Sequence, residues 1–352
     1  METSTLTYQC PNCGAGLIFD PAKQAFKCEF CLSEFSETEL EKTDAHKKAE
    51  QVQANNEEFC EHMNEYHCAN CGAEIISDEN TAADFCYYCH SPILMTGRLS
   101  GEKKPTKIIP FKYDKATAKE RFLAFAKKKW FVPKDFTYPE QIEKISGIYF
   151  PFWVTDADTD SQLSARCTDI DTWISGNYRY TKESIYNVYR RGDLHFEDIV
   201  NSALSEADKK MVEGILPFPP EAHEDFNMAY LTGFTAKKRD IDREQLAEAV
   251  RTRINSYSET LLKRTIKGYT TTMVTDKSAK VKKSNWDYSL MPIWILTYRN
   301  RKNRIFTYAM NGYTGKVYGE LPVSPKKLTI GSVIAGILGG LLAAIIAGAV
   351  LL

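Results

Sequence analysis

The sequence predicts an α+β protein that has two rubredoxin-like, four-cysteine zinc ribbons, an antiparallel-sheet body and one C-terminal transmembrane helix. Three observations predict this fold class: one cysteine frame occurs twice, helical and strand patterns share the middle of the chain, and the last 25 residues are uncharged. The predicted domains are zinc ribbon 1 (1–35), an acidic helical spacer (36–65), zinc ribbon 2 (66–95), a linker (96–107), the α+β body (108–325) and a transmembrane anchor (326–352).

The net charge of the chain is −1, so its overall field does not favour nucleic acid or an acidic partner. The charges are nevertheless unevenly distributed. Residues 34–65 contain ten acidic and three basic side chains, net −7, whereas residues 261–327 contain fourteen basic and three acidic side chains, net +11. The basic segment lies before the predicted anchor, where it can hold the body against anionic lipid headgroups or solvate one face of a sheet.

The cysteine frame consists of two Cys-x-x-Cys pairs, and its second copy begins 58 residues after the first. Four thiolates at tetrahedral corners suit zinc, and metal binding supplies folding energy that so short a segment lacks. Gly14 and Gly72 follow the first pair of each frame and allow the backbone to turn with positive φ. We therefore predict two structural zinc ions, with ligands Cys10, Cys13, Cys28, Cys31, Cys68, Cys71, Cys86 and Cys89.

Redox dithiol chemistry and iron binding are the alternatives for these cysteines. No secretory signal opens the chain, so we expect reduced thiols in a cytosolic body. A site closed by four thiolates has no open coordination position, which argues against zinc catalysis. The second frame has no Lys or Arg between its cysteines, so protein partners are favoured over nucleic acid. Membrane-tethered nucleic-acid binding remains the alternative function.

Two helices are predicted in the body. Asp114 caps the first, whose apolar face consists of Ala118, Phe122, Phe125 and Ala126. Asp242 and Gln245 form a capping box at the start of the second, and Gly268 ends it. Its apolar stripe comprises Leu246, Ala249, Val250, Ile254, Tyr257 and Leu261.

Alternating segments predict strands around these helices. Residues 289–323 read as three antiparallel strands, with the turn sequence "NGYTG" before the last. "PFWV" from Pro151 resembles "PIWI" from Pro292, which suggests two related strand units. Each proline is expected at a strand start or sheet edge, and each following tryptophan is expected to anchor the sheet to a helix. A cluster of aspartates between 156 and 171 lacks calcium-loop spacing and is read as a solvated turn, with a cation site as the alternative.

No phosphate-binding loop, nucleophile elbow or zinc-protease motif occurs in the sequence, so we expect no enzyme activity. The uncharged residues 328–352 are long enough to span a bilayer, and Lys326 and Lys327 precede them. These features predict a tail-anchored, single-pass protein of the cell membrane with the bulk of the chain in the cytoplasm. Small residues at every fourth position predict a face for a helix partner or a second copy: Ser332, Gly336, Gly340, Ala344 and Gly348.

Duplicated ribbons, Pro-x-Trp strands, the segment "AMNGYTGKVYGELP" and a glycine-rich terminal helix occur together in this chain. It thereby resembles the YdjG-like family of bacterial double-zinc-ribbon, tail-anchored membrane proteins, whose ribbons are of the transcription-factor-IIB type. The resemblance covers most of the chain. It implies a noncatalytic membrane adaptor in the envelope-stress response that works with phage-shock-type and flotillin-like (SPFH) proteins.

Overall fold

The computed structural model describes residues 8, 10–43, 63–68, 72–78, 86, 94–98, 104–205, 207–231, 233–300 and 304–351. The chain divides into two compact units. The first unit comprises Met1–Pro151, Glu206–Lys238 and Leu290–Leu352, and the second comprises Phe152–Ser205 and Arg239–Ser289. Two long strands, Ser146–Ser175 (β8) and Thr271–Arg299 (β12), each contribute residues to both units.

The first cysteine frame forms a small antiparallel sheet in the first unit. Its strands, in the order β1-β2-β3, are Leu17–Asp20, Ala25–Cys28 and Glu34–Phe35. Helix α1, Glu37–Thr43, follows directly and begins at a capping interaction between Ser36 and Glu39. Residues 44–62 of the predicted acidic helical spacer lie outside the described residues, and its last residues, 63–65, belong to a strand and not to a helix.

The second cysteine frame contributes strands to the main sheet of the first unit. Strands β4 (Met63–His67), β5 (Glu74–Asp78) and β6 (Leu94–Arg98) are antiparallel, with β4 in the centre. Strand β5 pairs in turn with a strand of the body, β11 (Thr235–Lys237), through Ala236↔Ile76 and Lys237↔Ile75. Ribbon 2 is thus an extension of the body sheet.

The predicted purely antiparallel sheet is wrong, because the sheet is mixed. Strand β11 runs parallel to β8 (Ser146–Ser175), with Thr235 opposite Ile148. Parallel neighbours need a long crossover connection, and a long stretch of chain separates these two strands in the sequence. Alternation of apolar and polar residues does not record strand direction, so the sequence pattern could not reveal this pairing.

The rest of the first unit surrounds an aromatic core in which Phe111 stacks on Phe234 at a centroid distance of 4.3 Å and meets Trp294 edge-on at 5.2 Å. Its helices are α2 (Lys115–Lys127), α3 (Pro139–Ile142) and α4 (Lys209–Ile215). Its short strands are β7 (Lys107–Ile108), β10 (Glu224–Asp225), β13 (Ile305–Asn311) and β14 (Val317–Gly319). Turns of 3₁₀ helix lie at Asp135–Thr137, Pro220–Ala222 and Met228–Leu231. The cap at Asp114 is confirmed, since its carboxylate accepts a hydrogen bond from the Thr117 amide at 2.9 Å.

The second unit is a long hairpin that packs against one helix. Strand β9 (Tyr178–Ser202) is antiparallel to β8, and the turn between them contains Gly176 at φ +62°. Helix α5 (Arg243–Arg264) covers one face, and the neighbouring strand on the other side of β8 is β12 (Thr271–Arg299). The predicted capping box is confirmed, since the Asp242 amide donates to Gln245 Oε1 at 2.7 Å.

The apolar stripe predicted for α5 is only partly right. Val250 and Ile254 are buried, but Tyr257 and Leu261 are exposed, and Ser258 and Leu262 take the inner positions. The Ser258 hydroxyl bonds to the buried Ser161 hydroxyl at 3.1 Å. A buried serine satisfied by another serine has no apolar signature, so periodicity placed the face about one residue away.

The two Pro-x-Trp segments have equivalent contacts in the two units. The Trp153 indole donates to the carbonyl oxygen of Ile241, and the Trp294 indole donates to that of Tyr113, both at 2.9 Å. Each accepting residue immediately precedes the Asp that caps α5 or α2. The predicted anchoring of sheet to helix is confirmed. The predicted position of the prolines is wrong, because Pro151 and Pro292 lie within the long strands β8 and β12.

Helix α6 (Pro325–Leu351) ends the first unit. Among the residues that the structure describes, no helix combines the length and the apolarity that crossing a bilayer requires. The predicted transmembrane anchor at 326–352, and with it the tail-anchored, single-pass membrane localisation, is therefore wrong.

Candidate metal centre

The first cysteine frame is built from two knuckles with the same backbone hydrogen bonds. In the first, the Gly14 amide donates to the Cys10 carbonyl at 2.8 Å and the Cys10 amide to the Ala15 carbonyl at 2.7 Å. In the second, the Leu32 amide donates to the Cys28 carbonyl at 3.0 Å, and the Cys28 amide to the Ser33 carbonyl at 2.9 Å. Both turns therefore place the fifth residue of the knuckle in the same left-handed conformation.

The residues at that fifth position differ. Gly14 has φ +76°, as predicted, but its counterpart Leu32 has φ +61° and carries a side chain. Leucine occupies this region at a cost, because its Cβ approaches the following carbonyl oxygen. The positive φ of Leu32 was not predicted, although Leu32 follows the second Cys-x-x-Cys pair as Gly14 follows the first.

The knuckles bring the four predicted ligands of the first frame together. All four Sγ atoms lie within 4.8 Å of one another, and the Cys10–Cys31 and Cys13–Cys28 Sγ pairs are each 3.4 Å apart. Four sulfurs around one zinc ion, each at about 2.3 Å, would be separated by about 3.8 Å. The sulfur atoms are too far apart for disulfides, whose S–S bond is about 2.05 Å. The donor set therefore fits one tetrahedral metal ion.

The thiols of this cluster have unequal acidity. The Ser33 hydroxyl, followed by the Ser33 amide, lowers the pKa of Cys31 to about 6. The Ala15 amide acts to lower the pKa of Cys13, but the hydrogen-bonded Cys28 sulfur and partial desolvation beside the other sulfurs together outweigh it and raise that pKa to about 12. The sulfurs of Cys13 and Cys31 thus differ in acidity although they belong to one cluster. A bound dication would supply the charge that stabilises four thiolates.

The second frame is described in part. Cys68 and Cys86 are fully buried, whereas Cys71 and Cys89 lie outside the described residues. The first knuckle of this frame repeats the same hydrogen bonds, with the Gly72 amide donating to the Cys68 carbonyl at 2.8 Å. Gly72 has φ +74°, as the sequence predicted. The second zinc site remains a prediction.

Ribbon 1 is fixed to the body of the first unit by aromatic contacts. Phe19 meets Tyr230 edge-on at 5.0 Å, and Phe26 lies between Phe19 and Tyr8. The Tyr8 hydroxyl accepts a hydrogen bond from Asn227 at 2.9 Å. The sequence does not predict this docking, because nothing in the local pattern connects residues about 200 positions apart.

The outer end of the second knuckle is apolar and exposed. Phe30 lies between the ligands Cys28 and Cys31 and is 86% exposed, and Leu32 is 68% exposed. Cys28 is fully buried by contrast. We name Phe30 and Leu32 the knuckle tip. Neighbouring exposed apolar side chains mark interaction sites, whereas single exposed apolar residues are common on any surface.

The predicted helix-partner face on α6 is described at three of its five positions. The Ser332 hydroxyl donates to the Leu328 carbonyl at 2.9 Å, within the helix itself. A Cβ atom placed on Gly336 or Gly340 meets no described atom within 4 Å. The surroundings of Ala344 and Gly348 lie outside the described part of the structure. Association through this face stays a prediction.

The aspartates considered as a cation site lie on strand β8, so the predicted turn is wrong. Asp160 accepts two hydrogen bonds from Arg191, at 2.9 and 2.6 Å, and Asp158 contacts His195 at 2.6 Å. Asp158 and then Glu197 raise the pKa of His195. These carboxylates are used in cross-strand pairs with β9 and, within the described part of the chain, do not gather into a metal-binding group.

Comparison with known proteins supports a relationship along nearly the whole chain. The chain is 32% identical over 336 residues to the uncharacterized protein YdjG of Bacillus subtilis (strain 168), and the match covers 95% of each protein. No family model matches the chain, and no solved structure does. Identity of this extent over both full lengths requires common descent, so the chain belongs to the same protein family as YdjG.

Proposed function

We propose that this protein is a noncatalytic adaptor whose cysteine knuckles hold structural zinc and whose knuckle tip binds a protein partner. The observation that carries the proposal is the exposure of Phe30 at 86%, between two residues of a four-sulfur cluster. Zinc, when bound, would cross-link the two knuckles and fix the tip. By analogy with the first frame, the proposal includes a second zinc ion in the second frame.

A closed four-sulfur set supports a structural role for the metal, since catalytic zinc keeps a position open for water or substrate. The two inner ligands, Cys10 and Cys28, are buried, and the outer ligands Cys13 and Cys31 are exposed. The tip therefore lies at the solvent side of the cluster. An aromatic side chain on a rigid turn binds with little loss of conformational freedom, which is why such residues dominate binding energy at interfaces.

The partner class follows from the resemblance to YdjG-like proteins. The resemblance makes a flotillin-like (SPFH) protein the first partner to test. It makes the envelope-stress response the first cellular process in which to test the protein. The alternative function, nucleic-acid binding through the ribbon, has less support. Lys23, one of two lysines within the first frame, is paired with Glu34, so the ribbon offers phosphate little unpaired positive charge.

The test measures binding of the purified full chain to the flotillin-like protein encoded in the same genome, by calorimetry. Phe30→Ser should weaken the complex about 30-fold or more, as expected for an interface hot spot worth about 2 kcal/mol. Trp130→Ser is the matched control, because Trp130 has the same 86% exposure elsewhere in the first unit. It should bind like the unmodified chain.

Equal binding by Phe30→Ser and Trp130→Ser, with metal content unchanged, would refute the knuckle tip as the binding site. No binding by the unmodified chain would refute the partner class. Retardation of single-stranded DNA that falls steeply with salt, and that Phe30→Ser abolishes, would replace the adaptor with the nucleic-acid alternative.

A further inference from the structure

We propose that strand β9 is an interface at which two copies of this chain pair antiparallel about a two-fold axis. Strand β9 extends over 25 residues, Tyr178–Ser202. One of its edges pairs with β8 from Phe152↔Ser202 to Ser175↔Tyr178, and no strand among the described residues pairs with the other edge. An edge of this length presents a long row of amide and carbonyl groups, which is a template for another strand.

The charges along β9 select a second copy in antiparallel orientation. Residues 178–191 carry four basic side chains and one acidic one, net +3, whereas residues 192–202 carry three acidic side chains and no Lys or Arg, net −3. Antiparallel pairing of two β9 strands sets each basic half against an acidic half. Parallel pairing would set like charges together. A strand that is complementary to its own reverse is what an isologous two-fold contact requires.

The end of the hairpin supplies apolar area for such a contact. Its large side chains are exposed on both faces of the β8–β9 ribbon, and Trp173 stacks on Tyr180 at 5.6 Å. The exposed set is Ile170, Trp173, Ile174, Tyr178, Tyr180, Ile185, Tyr186 and Tyr189. At roughly 150–250 Å² for each whole side chain, their combined exposed surface is on the order of 800 Å². Pairing of two β9 edges would bury part of this area, chiefly at the side chains of β9, and a stable interface buries about 800 Å² on each partner.

The core of the second unit explains why this area is left over. Helix α5 ends at Arg264. Near this end its Leu262 packs against a cluster on β8 that consists of Leu163, Ala165 and Cys167. Residues 171–183 of the hairpin are exposed at every position. A two-stranded ribbon without cover on either face is marginal in water, and a second copy would add strands to it.

The test compares two charge-reversed variants of the full chain by sedimentation velocity. Variant A carries Lys182→Glu and Arg190→Glu, and variant B carries Asp193→Lys and Glu197→Lys. In each variant both halves of β9 acquire the same sign, so each alone should be monomeric at concentrations where the unmodified chain is dimeric. An equimolar mixture of A and B restores complementarity and should dimerise. Lys280→Glu with Lys283→Glu is the control, since it changes net charge as variant A does but lies on β12.

A dimeric unmodified chain, monomeric A and B, a dimeric mixture and a dimeric control are the expected results. Circular dichroism verifies that each variant is folded. The proposal is overturned if the unmodified chain is monomeric up to about 100 μM, a level that would detect even a weak complex. It is equally overturned if A or B alone remains dimeric, if their mixture stays monomeric, or if the β12 control also dissociates.

Discussion

Glycine occupies the left-handed position in the first knuckle of ribbon 1 and leucine occupies it in the second, so removing or introducing glycine there should change zinc affinity in opposite directions. Gly14 has φ +76° and open space around its missing Cβ, so Gly14→Ala introduces no clash and changes only the backbone preference. The left-handed conformation costs a residue with a Cβ about 1–2 kcal/mol, and the stiffer unfolded chain offsets about 0.4–1 kcal/mol of this. The net destabilisation is about 1 kcal/mol. Since ribbon folding and metal binding are coupled, apparent zinc affinity should fall about fivefold.

Leu32→Gly should act in the other direction. Leu32 has φ +61° and is 68% exposed, so glycine relieves the backbone at little cost in buried apolar surface. We expect apparent zinc affinity to rise by up to about fivefold. Gly16→Ala is the control, because Gly16 also has open space but no positive φ, and it should leave the affinity within about twofold.

The assay is hydrogen exchange of peptides from residues 10–35 in the full chain, titrated against a zinc-buffering chelator. Reading only these peptides separates the first frame from the second. The chelator midpoint should shift down for Gly14→Ala and up for Leu32→Gly. If Gly14→Ala and Gly16→Ala give the same midpoint, or if Leu32→Gly loses affinity, the assignment of the left-handed conformation to the knuckle is refuted.

Three further predictions concern other sites. Asp158 raises the pKa of His195, so the protonated imidazole stabilises the folded state. This stabilisation is fully present at a pH below the pKa of histidine in the unfolded chain, about 6.5, and is lost as the pH rises through the higher pKa of the folded state. Asp158→Asn should lower the pKa of His195 measured by NMR, and an unmoved pKa would contradict the contact. Trp153→Phe removes the indole that donates to the Ile241 carbonyl before α5. The free energy of unfolding of the second unit, measured by hydrogen exchange, should fall by about 1–3 kcal/mol. A loss below about 0.5 kcal/mol would contradict a stabilising role for this hydrogen bond. Cys31→Ser should remove one zinc equivalent per chain in elemental analysis, whereas Cys167→Ser, outside both frames, should remove none.

The sequence pattern predicted the structure correctly where the cause is local. The helix caps at Asp114 and Asp242 and the positive φ of Gly14 follow from hydrogen bonds and sterics within a few residues, and all three are confirmed. It failed where distant segments decide the outcome. The parallel pairing of β11 with β8 and the docking of Tyr230 on ribbon 1 depend on residues brought together only by the folded chain.

The small size of the cysteine frames predicted that bound metal supplies their folding energy, and their contacts show that the body supports them as well. Phe26 of ribbon 1 is 1% exposed because Tyr8, Phe19 and Tyr230 surround it, and Ile76 of ribbon 2 is fully buried opposite Ala236 of the body. Loss of metal would therefore loosen apolar surface that the body also needs, rather than unfold an isolated finger. A partner that binds the knuckle tip would meet a surface held by the body and, once a metal ion is bound, by the four-sulfur cluster as well. Such double support would offset the cost of holding Leu32 at φ +61° beside Cys31.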